Sequence, residues 1–594
     1  MWFTAPYPEC SAKDVGGKAF DYIIIGGGTA GCVVASRLSE DENISVLVLE
    51  RGRVMDTWMS RTPLASQDYR NKSSQAVWRP SLPMKACNNR IGDIWVAEAL
   101  GGSSRINGML YTRSSAADYN HWKNMGHPTW GYHDVEPYFI KSESSMSHQG
   151  VKHRGHGGPL VNRQANHPFR IYDYCAKAAE AVGLRIEDDA NSPYAPAIGY
   201  FHADHAIDDK NQRVSAYHAF LSKNIAIKRK SELCVCTGAN AIKLEFDMEA
   251  SRVTGVHFIS VQPSGSATVH FVTATREIIV CSGAIGSPQL LMLSGIGPRE
   301  HLEEIGIQLI RDMAGVGSNL ADHHAVPIMA EIPMKETYHQ LTESVWLAIW
   351  AFLQMLIFRT GLLSTTSPPA NIFLRSDALD DTMKIKPLSD NELDSTNPKN
   401  IPDVEVMFIA NRGTPVEPSI KSAFTFFTTL VQPHSRGTVR LRSTNSQDQP
   451  LIDLNMLSDE RDLVTARKAV RFTLNFASYI KRVGYPHKFR LFSSPAGRTS
   501  RELRDLSDEE IDAWVRQNLR SALHYSSTCR MASLDDPECP GVVDDELRVH
   551  GFDNLRIADA SVFPKIVSAH TMAPVVMVAE RCADFVKRAW IDAY

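Results

Sequence analysis

Four glycines and one carboxylate are spaced for binding chemistry. They are Gly26, Gly27, Gly28 and Gly31, in the run Asp21-Tyr-Ile-Ile-Ile-Gly-Gly-Gly-Thr-Ala-Gly31, with Glu50 beyond them. Glycines so placed let a chain turn tightly, bring bare backbone up to a pyrophosphate, and pack the next helix against a sheet. A carboxylate about 20 residues further on can accept hydrogen bonds from ribose hydroxyls, and it would repel a 2′-phosphate. The pattern points to an adenine dinucleotide other than NADP.

The elements that must position these residues can be read around them. Tyr22 to Ile25 is a short apolar β-branched run, as a buried parallel strand requires. Thr29 to Ser39 has helical spacing, with Cys32, Val33, Ala35 and Leu38 available for burial. Its start offers free N–H groups and a positive dipole end to phosphates. Ser45 to Leu49 reads as the second strand, ending in Glu50. A second strand, glycine turn and helix belongs with the same sheet: Glu277 to Cys281, Ser282-Gly-Ala-Ile-Gly-Ser-Pro288, and Gln289 to Leu293. Asn554 to Ala558 adds a strand and Pro574 to Lys587 a closing helix.

The chain of 594 residues is too long for one core. Its 43% hydrophobic and 22% charged content is that of an ordinary globular protein, and a net charge of −4 gives a nucleic-acid partner no support. Ten cysteines without a CxxC pair read as reduced, buried thiols rather than a disulfide framework or a zinc site. No apolar signal segment opens the sequence, so a cytoplasmic location is expected. The sequons Asn43-Ile-Ser45 and Asn71-Lys-Ser73 carry no weight, and Asp592-Ala-Tyr594 is no peroxisomal tripeptide. Val345 to Phe358 is apolar apart from Gln354. A bilayer needs about 20 residues, so a buried helix or pocket wall is expected rather than a transmembrane span, with an interfacial helix as the alternative.

Arg53 to Leu100 has little pattern and reads as loops covering the cofactor. Lys177 to Val182 reads as helix and Leu233 to Thr237 as strand. Arg252 to Val261 and Ala267 to Ala274 read as strands joined around Pro263 to Gly265. From about residue 325 to 520 the texture changes. Ser376 to Pro402 is polar and reads as an exposed loop. Phe424 to Val431 and Thr438 to Arg442 alternate, suggesting a half-exposed antiparallel sheet, and Glu460 to Ser478 is an amphipathic helix.

Four motifs, in order, carry a family resemblance: Gly26 to Gly31 with Glu50-Arg51-Gly52; Gly101-Gly-Ser-Ser with Asn107-Gly-Met; Gly283 to Pro298; and His524 with Asp559-Ala-Ser-Val-Phe-Pro564. On these the chain resembles the glucose–methanol–choline (GMC) flavoprotein oxidoreductases along almost its whole length. The resemblance implies an α/β plus α+β fold. A Rossmann-like FAD-binding domain would comprise 19–165, 226–324 and 521–594. A substrate-binding domain of antiparallel sheet and helices would comprise 166–225 and 325–520. It also implies FAD, with Gly26, Gly28, Thr29, Ala30 and Gly31 at the pyrophosphate and Glu50 and Arg51 at the adenosine ribose. Asn107, Gly108, Met109 and Leu110 would run along ribityl and flavin, and Val235 would meet adenine through its backbone. Asp559, Ala560 and Thr571 would close over the cofactor. Some relatives attach FAD through a histidine before the motif asparagine; Ile106 stands there, so FAD is expected to be non-covalent.

By the same resemblance the chemistry rests on His524, in His-Tyr-Ser-Ser-Thr-Cys-Arg-Met531, and His570, in Ser-Ala-His-Thr-Met-Ala-Pro574. A neutral imidazole can take the O–H proton of an alcohol as the C–H hydride leaves for flavin N5, and a second can stabilise developing alkoxide charge. The expected reaction is oxidation of a small-molecule alcohol to an aldehyde, with oxygen as electron acceptor. The alternatives are a dehydrogenase passing electrons to a quinone or other acceptor, and a hydroxynitrile lyase. Trp346, Trp350, Phe352, Phe358, Phe424, Phe426 and Phe427 suggest an aromatic or apolar primary alcohol. Ser114, Ser527 and Ala532 replace glycines common in the family. No metal is expected: Asp322-His323-His324 follows Gly315 to Leu320, which resembles a structural turn of the family, and His148, His153, His156, His202 and His205 read as solvated loop histidines.

Overall fold

The computed structural model describes residues 6–591, apart from 71–73, 165–166, 248, 250, 261–267, 414–418, 496–505 and 538. The sequon at Asn71, the turn at Pro263 to Gly265 and the C-terminal Asp592 to Tyr594 lie outside the described residues. The first sheet runs Glu9–Cys10, Leu233–Thr237, Val46–Glu50, Ala19–Ile25, Val269–Val280, Arg252–Ser260 and Ala239–Asp247, with Leu555–Ile557 beside Val269–Val280. Ala19–Ile25 sits centrally, parallel to both neighbours. That explains its run of isoleucines: Ile23 and Ile24 are wholly buried between layers. The helices Thr29–Leu38 and Met572–Ile591 pack together on this sheet.

The second sheet runs Arg490–Ser493, His324–Glu331, Phe424–Leu430, Val404–Ile409, Ala370–Leu374, Gly199–His202 and Ile186–Glu187, and its main pairings are antiparallel. The 23-residue helix Glu460–Arg482 covers it. Phe408 stacks on Phe476 with centroids 5.5 Å apart. Each sheet has its own large apolar core. The fold is therefore the mixed α/β and antiparallel architecture expected.

Several local expectations are corrected. Arg53 to Leu100 is not all loop: Ala76–Met84 and Arg90–Ala97 form a hairpin, whose register slips between Pro80 and Pro83 because proline cannot donate to the ladder. The separate strands at 267–274 and 277–281 are one, Val269–Val280. Its first half pairs antiparallel with Arg252–Ser260 and its second half parallel with Ala19–Ile25. Phe424–Leu430 is buried on both faces, because Glu460–Arg482 closes one of them. Cys10 and Cys234 form a disulfide, contrary to the reduced-thiol reading; the other eight cysteines are free. Val345–Phe358 is a helix, but not a buried one: only Ala351 and Met355 are buried, and Trp346 is 81% exposed. No helix among the described residues is long and apolar enough to cross a membrane.

The loop histidines are not uniformly solvated either. His205 is wholly buried, and His148 faces Asp204 at 3.4 Å. His148, Asp189 and Asp204 stand close together, but Arg154 already bridges both carboxylates, at 2.8 Å each, and also pairs with Glu143. A guanidinium in that place argues against a cation there. Arg154, Glu143 and Asp204 are all buried. Arg154→Leu should therefore leave buried Asp204 without its guanidinium, while Glu143 keeps Arg113 at 2.5 Å, and lower stability by about 3–5 kcal/mol, read as a fall in the thermal unfolding midpoint.

Candidate active site

One cavity of about 650 Å³ runs from the glycine turn after Ala19–Ile25 to the histidines near the C-terminus. Gly26, Gly28, Thr29, Ala30, Glu50, Arg51, Asn107, Gly108, Leu110, Asp559, Ala560, His524, His570 and Thr571 all line it. Gly31, Met109 and Val235 do not. A Cβ on Gly31 would lie 1.8 Å from the Gly26 carbonyl oxygen, so this glycine serves helix packing. Met109 is buried, and its N–H donates to Asn107 Oδ1 at 3.1 Å. Val235 is an inner-strand residue between Glu9 and Val48, and Ala239 to Ala241 reach the wall instead.

The residues fit a dinucleotide. The Thr29–Leu38 helix opens onto the cavity, with Gly28 as its N-cap. The N–H of Gly27 donates to Glu50 Oε2 and that of Gly52 to Oε1, both at 2.7 Å, fixing the turn to the strand that carries the acid. Gly102, at φ 52°, brings its backbone against Gly28: a Cβ there would lie 2.8 Å from the Gly28 Cα. Asp559 clamps the far side, accepting from the Gly283 N–H at 2.8 Å and the Ser287 hydroxyl at 2.6 Å. Asn107 is held by the buried Arg213, whose Nη1 donates to Oδ1 at 2.6 Å. Gly102→Ala should weaken FAD binding at least about tenfold, since the left-handed backbone alone costs roughly 1–2 kcal/mol with a side chain. Bound flavin absorbance after desalting checks this.

At the other end the rings of His524 and His570 meet edge to face, centroids 4.8 Å apart. His524 is fixed from two sides. Its backbone N–H donates to Asp322 Oδ1 at 2.8 Å, and its Nδ1 lies 2.9 Å from Nδ1 of His323. His323 Nε2 faces the Val567 carbonyl at 2.9 Å, and a carbonyl can only accept. Burial pushes His323 down to about 3, so the ring is neutral, with its proton on Nε2 and a lone pair on Nδ1. His524 Nδ1 must then be the donor between the two rings. Burial, with His570 and His323 alongside, also holds His524 well below the usual histidine range. Its Nε2 is left with an unprotonated lone pair. In the sequence Asp322-His323 suggests no more than a discounted metal site; its adjacency to the catalytic motif is long-range, and no spacing rule shows it.

His570 is held by a different set. Its N–H donates to Thr112 Oγ1 at 3.1 Å, and Nε2 stands 3.1 Å from the buried carboxylate of Glu405, which Asn371 also engages. Two residues earlier, Ser568 gives its N–H (3.0 Å) and its hydroxyl (2.5 Å) to buried Asp118, whose carboxyl is pushed up to about 6 by burial. Glu405 and Asp118 were missed; the one visible signal was a lone acid in the apolar run Val404-Glu-Val-Met-Phe-Ile409. Ser527 does not line the cavity. It is wholly buried at φ 68°, the backbone setting of the glycine it replaces, and Ser114 likewise holds φ 75°.

A glycine-turn sheet meeting a pair of histidines across one cavity defines a dinucleotide-dependent oxidoreductase. The chain belongs to the GMC oxidoreductase family, whose N-terminal model matches residues 20–325 and whose C-terminal model matches residues 433–579. It is 32% identical over 569 residues to an oxygen-dependent choline dehydrogenase of Brucella canis, covering 95% of each chain. It is also 32% identical to dehydrogenase str4 of Strobilurus tenacellus, covering 96% of this chain and 94% of that one. A formate oxidase variant of Aspergillus oryzae, studied for its FAD modification, superposes with a TM-score of 0.84 at 25% identity, covering 98% of this chain and all of that one. The family and the formate oxidase support FAD as the cofactor.

Proposed function

We propose that the protein oxidises a neutral primary alcohol with an aromatic or apolar body to the aldehyde, using non-covalently held FAD and oxygen. The observation that carries this reading is the neutral His524 ring, its proton pinned on Nδ1 toward His323, facing the cavity beside His570. Gly26, Gly28, Thr29 and Ala30 would hold the pyrophosphate, Glu50 and Arg51 the adenosine, Asn107, Gly108 and Leu110 the ribityl and ring, and Asp559, Ala560 and Thr571 the far face. When bound, the flavin supplies the acceptor for the hydride leaving the carbinol carbon. His524 Nε2 takes the hydroxyl proton. His570 gives its Nε2–H to Glu405, which fixes the ring beside the alcohol oxygen; a second proton, on Nδ1, is what would let it steady the charge developing there. Ile106 at the cavity wall offers no histidine for a covalent link.

The substrate class rests on the lining. Of the seven aromatics weighed from sequence, only Phe427 lines the cavity. Phe424 and Phe426 are core, and Trp346, Trp350, Phe352 and Phe358 are on the surface. Met407, Ile409, Trp95, Leu523 and Tyr525 complete an apolar wall. Arg70, Arg90 and Arg520 gather with Asp93 on the hairpin side of the cavity, where Glu98 is already paired with Arg51 and Arg79. They disfavour a cationic alcohol such as the choline named for the relative. The activities named for the relatives, an oxygen-dependent dehydrogenase and an oxidase, favour oxygen as acceptor; the quinone-type dehydrogenase is the second reading.

An anaerobic panel of benzylic, aliphatic and cationic alcohols, scored by flavin bleaching and followed by air, tests the reading. Bleaching by neutral apolar alcohols and stoichiometric hydrogen peroxide are expected. Bleaching without peroxide assigns the dehydrogenase. No bleaching, with cyanide released from a cyanohydrin, would assign a lyase.

A further inference from the structure

The helix Val345–Phe358 has no part in the site, yet it is the most apolar exposed feature of the molecule. Val345 is 72% exposed, Trp346 81%, Ile357 62% and Phe358 65%, and Ile349, Trp350, Phe352, Leu353 and Leu356 are exposed too. At 100° per residue, Phe352, Val345, Leu356, Ile349, Leu353, Trp346, Ile357 and Trp350 fill one continuous arc of roughly 160°. Ala351 and Met355, on the other side, are buried against the protein, and Trp58 packs on Phe352 at one edge of the arc, centroids 5.0 Å apart. The nine exposed side chains present on the order of 1,000 Å² of apolar surface. That exceeds both what a monomer leaves open and the roughly 800 Å² per partner of a stable dimer.

We propose that this helix pairs antiparallel with the same helix of a second copy of the chain. Three observations select that occupant. The centre line of the arc reads Trp346, Ile349, Trp350, Leu353, Leu356 and Ile357, the three-and-four spacing of a helix-packing seam. Reversed about the helix midpoint, Trp346 meets Ile357 of the second copy and Trp350 meets its Leu353, while Ile349 falls opposite Gln354 and Leu356 opposite Leu347. The flanks carry opposite charge, with exposed Glu343 before the helix and Arg359 at its C-terminal cap, so a two-fold antiparallel pair sets each acid beside the other copy's base. A helix lying in a lipid surface carries Lys and Arg on its polar face, and Val345–Phe358 contains no charged residue.

Sedimentation velocity of the FAD-loaded chain at micromolar concentration tests the pairing. A dimer is expected, weakened about tenfold or more by Trp350→Glu at its centre, while flavin absorbance and alcohol-dependent bleaching stay unchanged. Glu343→Arg alone should weaken the dimer and adding Arg359→Glu should restore it, a result that general surface stickiness would not give. A monomer at every concentration, or a dimer indifferent to Trp350→Glu, would overturn the proposal. So would a monomer that pellets with phosphatidylcholine vesicles and loses that binding with Trp350→Glu; that outcome would assign the face to a membrane.

Discussion

His524→Ala is expected to slow anaerobic reduction of bound flavin by about a hundredfold or more, with FAD still held and its absorbance band intact. The side chain stands at the histidine end of the cavity, away from the glycine turn, and its backbone N–H, which anchors the segment to Asp322, survives the substitution. The base is also expected to show an unusual pH profile. Burial favours the neutral ring, so the imidazolium that would silence it forms only at low pH. The wild-type reduction rate should therefore stay level from about pH 6 to pH 9, with no inflection at the ordinary histidine value near 6.5. Stopped-flow reduction across that range checks it. An inflection near 6.5 that disappears in His524→Ala would show an ordinary, solvated histidine.

The second large effect concerns a residue behind the cavity wall, His323. His323 is a positioning residue: the Val567 carbonyl sets its tautomer, and its bare Nδ1 then holds the His524 proton on the ring nitrogen away from the alcohol. His323→Leu removes the acceptor and lets His524 populate the wrong tautomer. Loss of such an orienting partner costs typically 10–100-fold, so reduction should slow by about that factor. His323→Asn retains an oxygen able to accept from Nδ1 and should recover much of the rate. A purely packing role would give the opposite order, since leucine fills the space better than asparagine. The two outcomes separate in one stopped-flow series, with KM for the alcohol little changed.

Local chemistry made the nucleotide half of the molecule readable. The β-branched run before Gly26 and the glycine spacing after it are dictated by burial on two faces and close backbone approach, and both act within a few residues. The second turn at Ser282–Gly283 was legible for the same reason. The substrate half was not. Whether an apolar stretch is core or surface depends on what covers it, and nothing in Val345 to Phe358 distinguishes a helix packed on both sides from one packed on a single side. The aromatic count pointed toward the cavity, yet Phe424 and Phe426 are spent on the core beneath Glu460–Arg482. The hairpin at Ala76–Ala97 was hidden by prolines that would normally argue against strands. At the site, the motif histidines could be named from the family pattern. The groups that orient them, His323, Glu405, Asp118 and Arg213, come from distant parts of the chain. His323 lies 201 residues from His524, and Glu405 165 from His570. Only tertiary structure brings them together.

In the proposed reaction an alcohol proton leaves to His524 as hydride is lost from the same molecule. The direct measurement is anaerobic mixing of the FAD-loaded protein with benzyl alcohol and with its α-dideuterated form, following the oxidised flavin band. The band should bleach fully, and deuterium should slow it several-fold because the C–H bond breaks in that step. An unchanged band across the alcohol panel, in protein shown to hold FAD, would contradict the account.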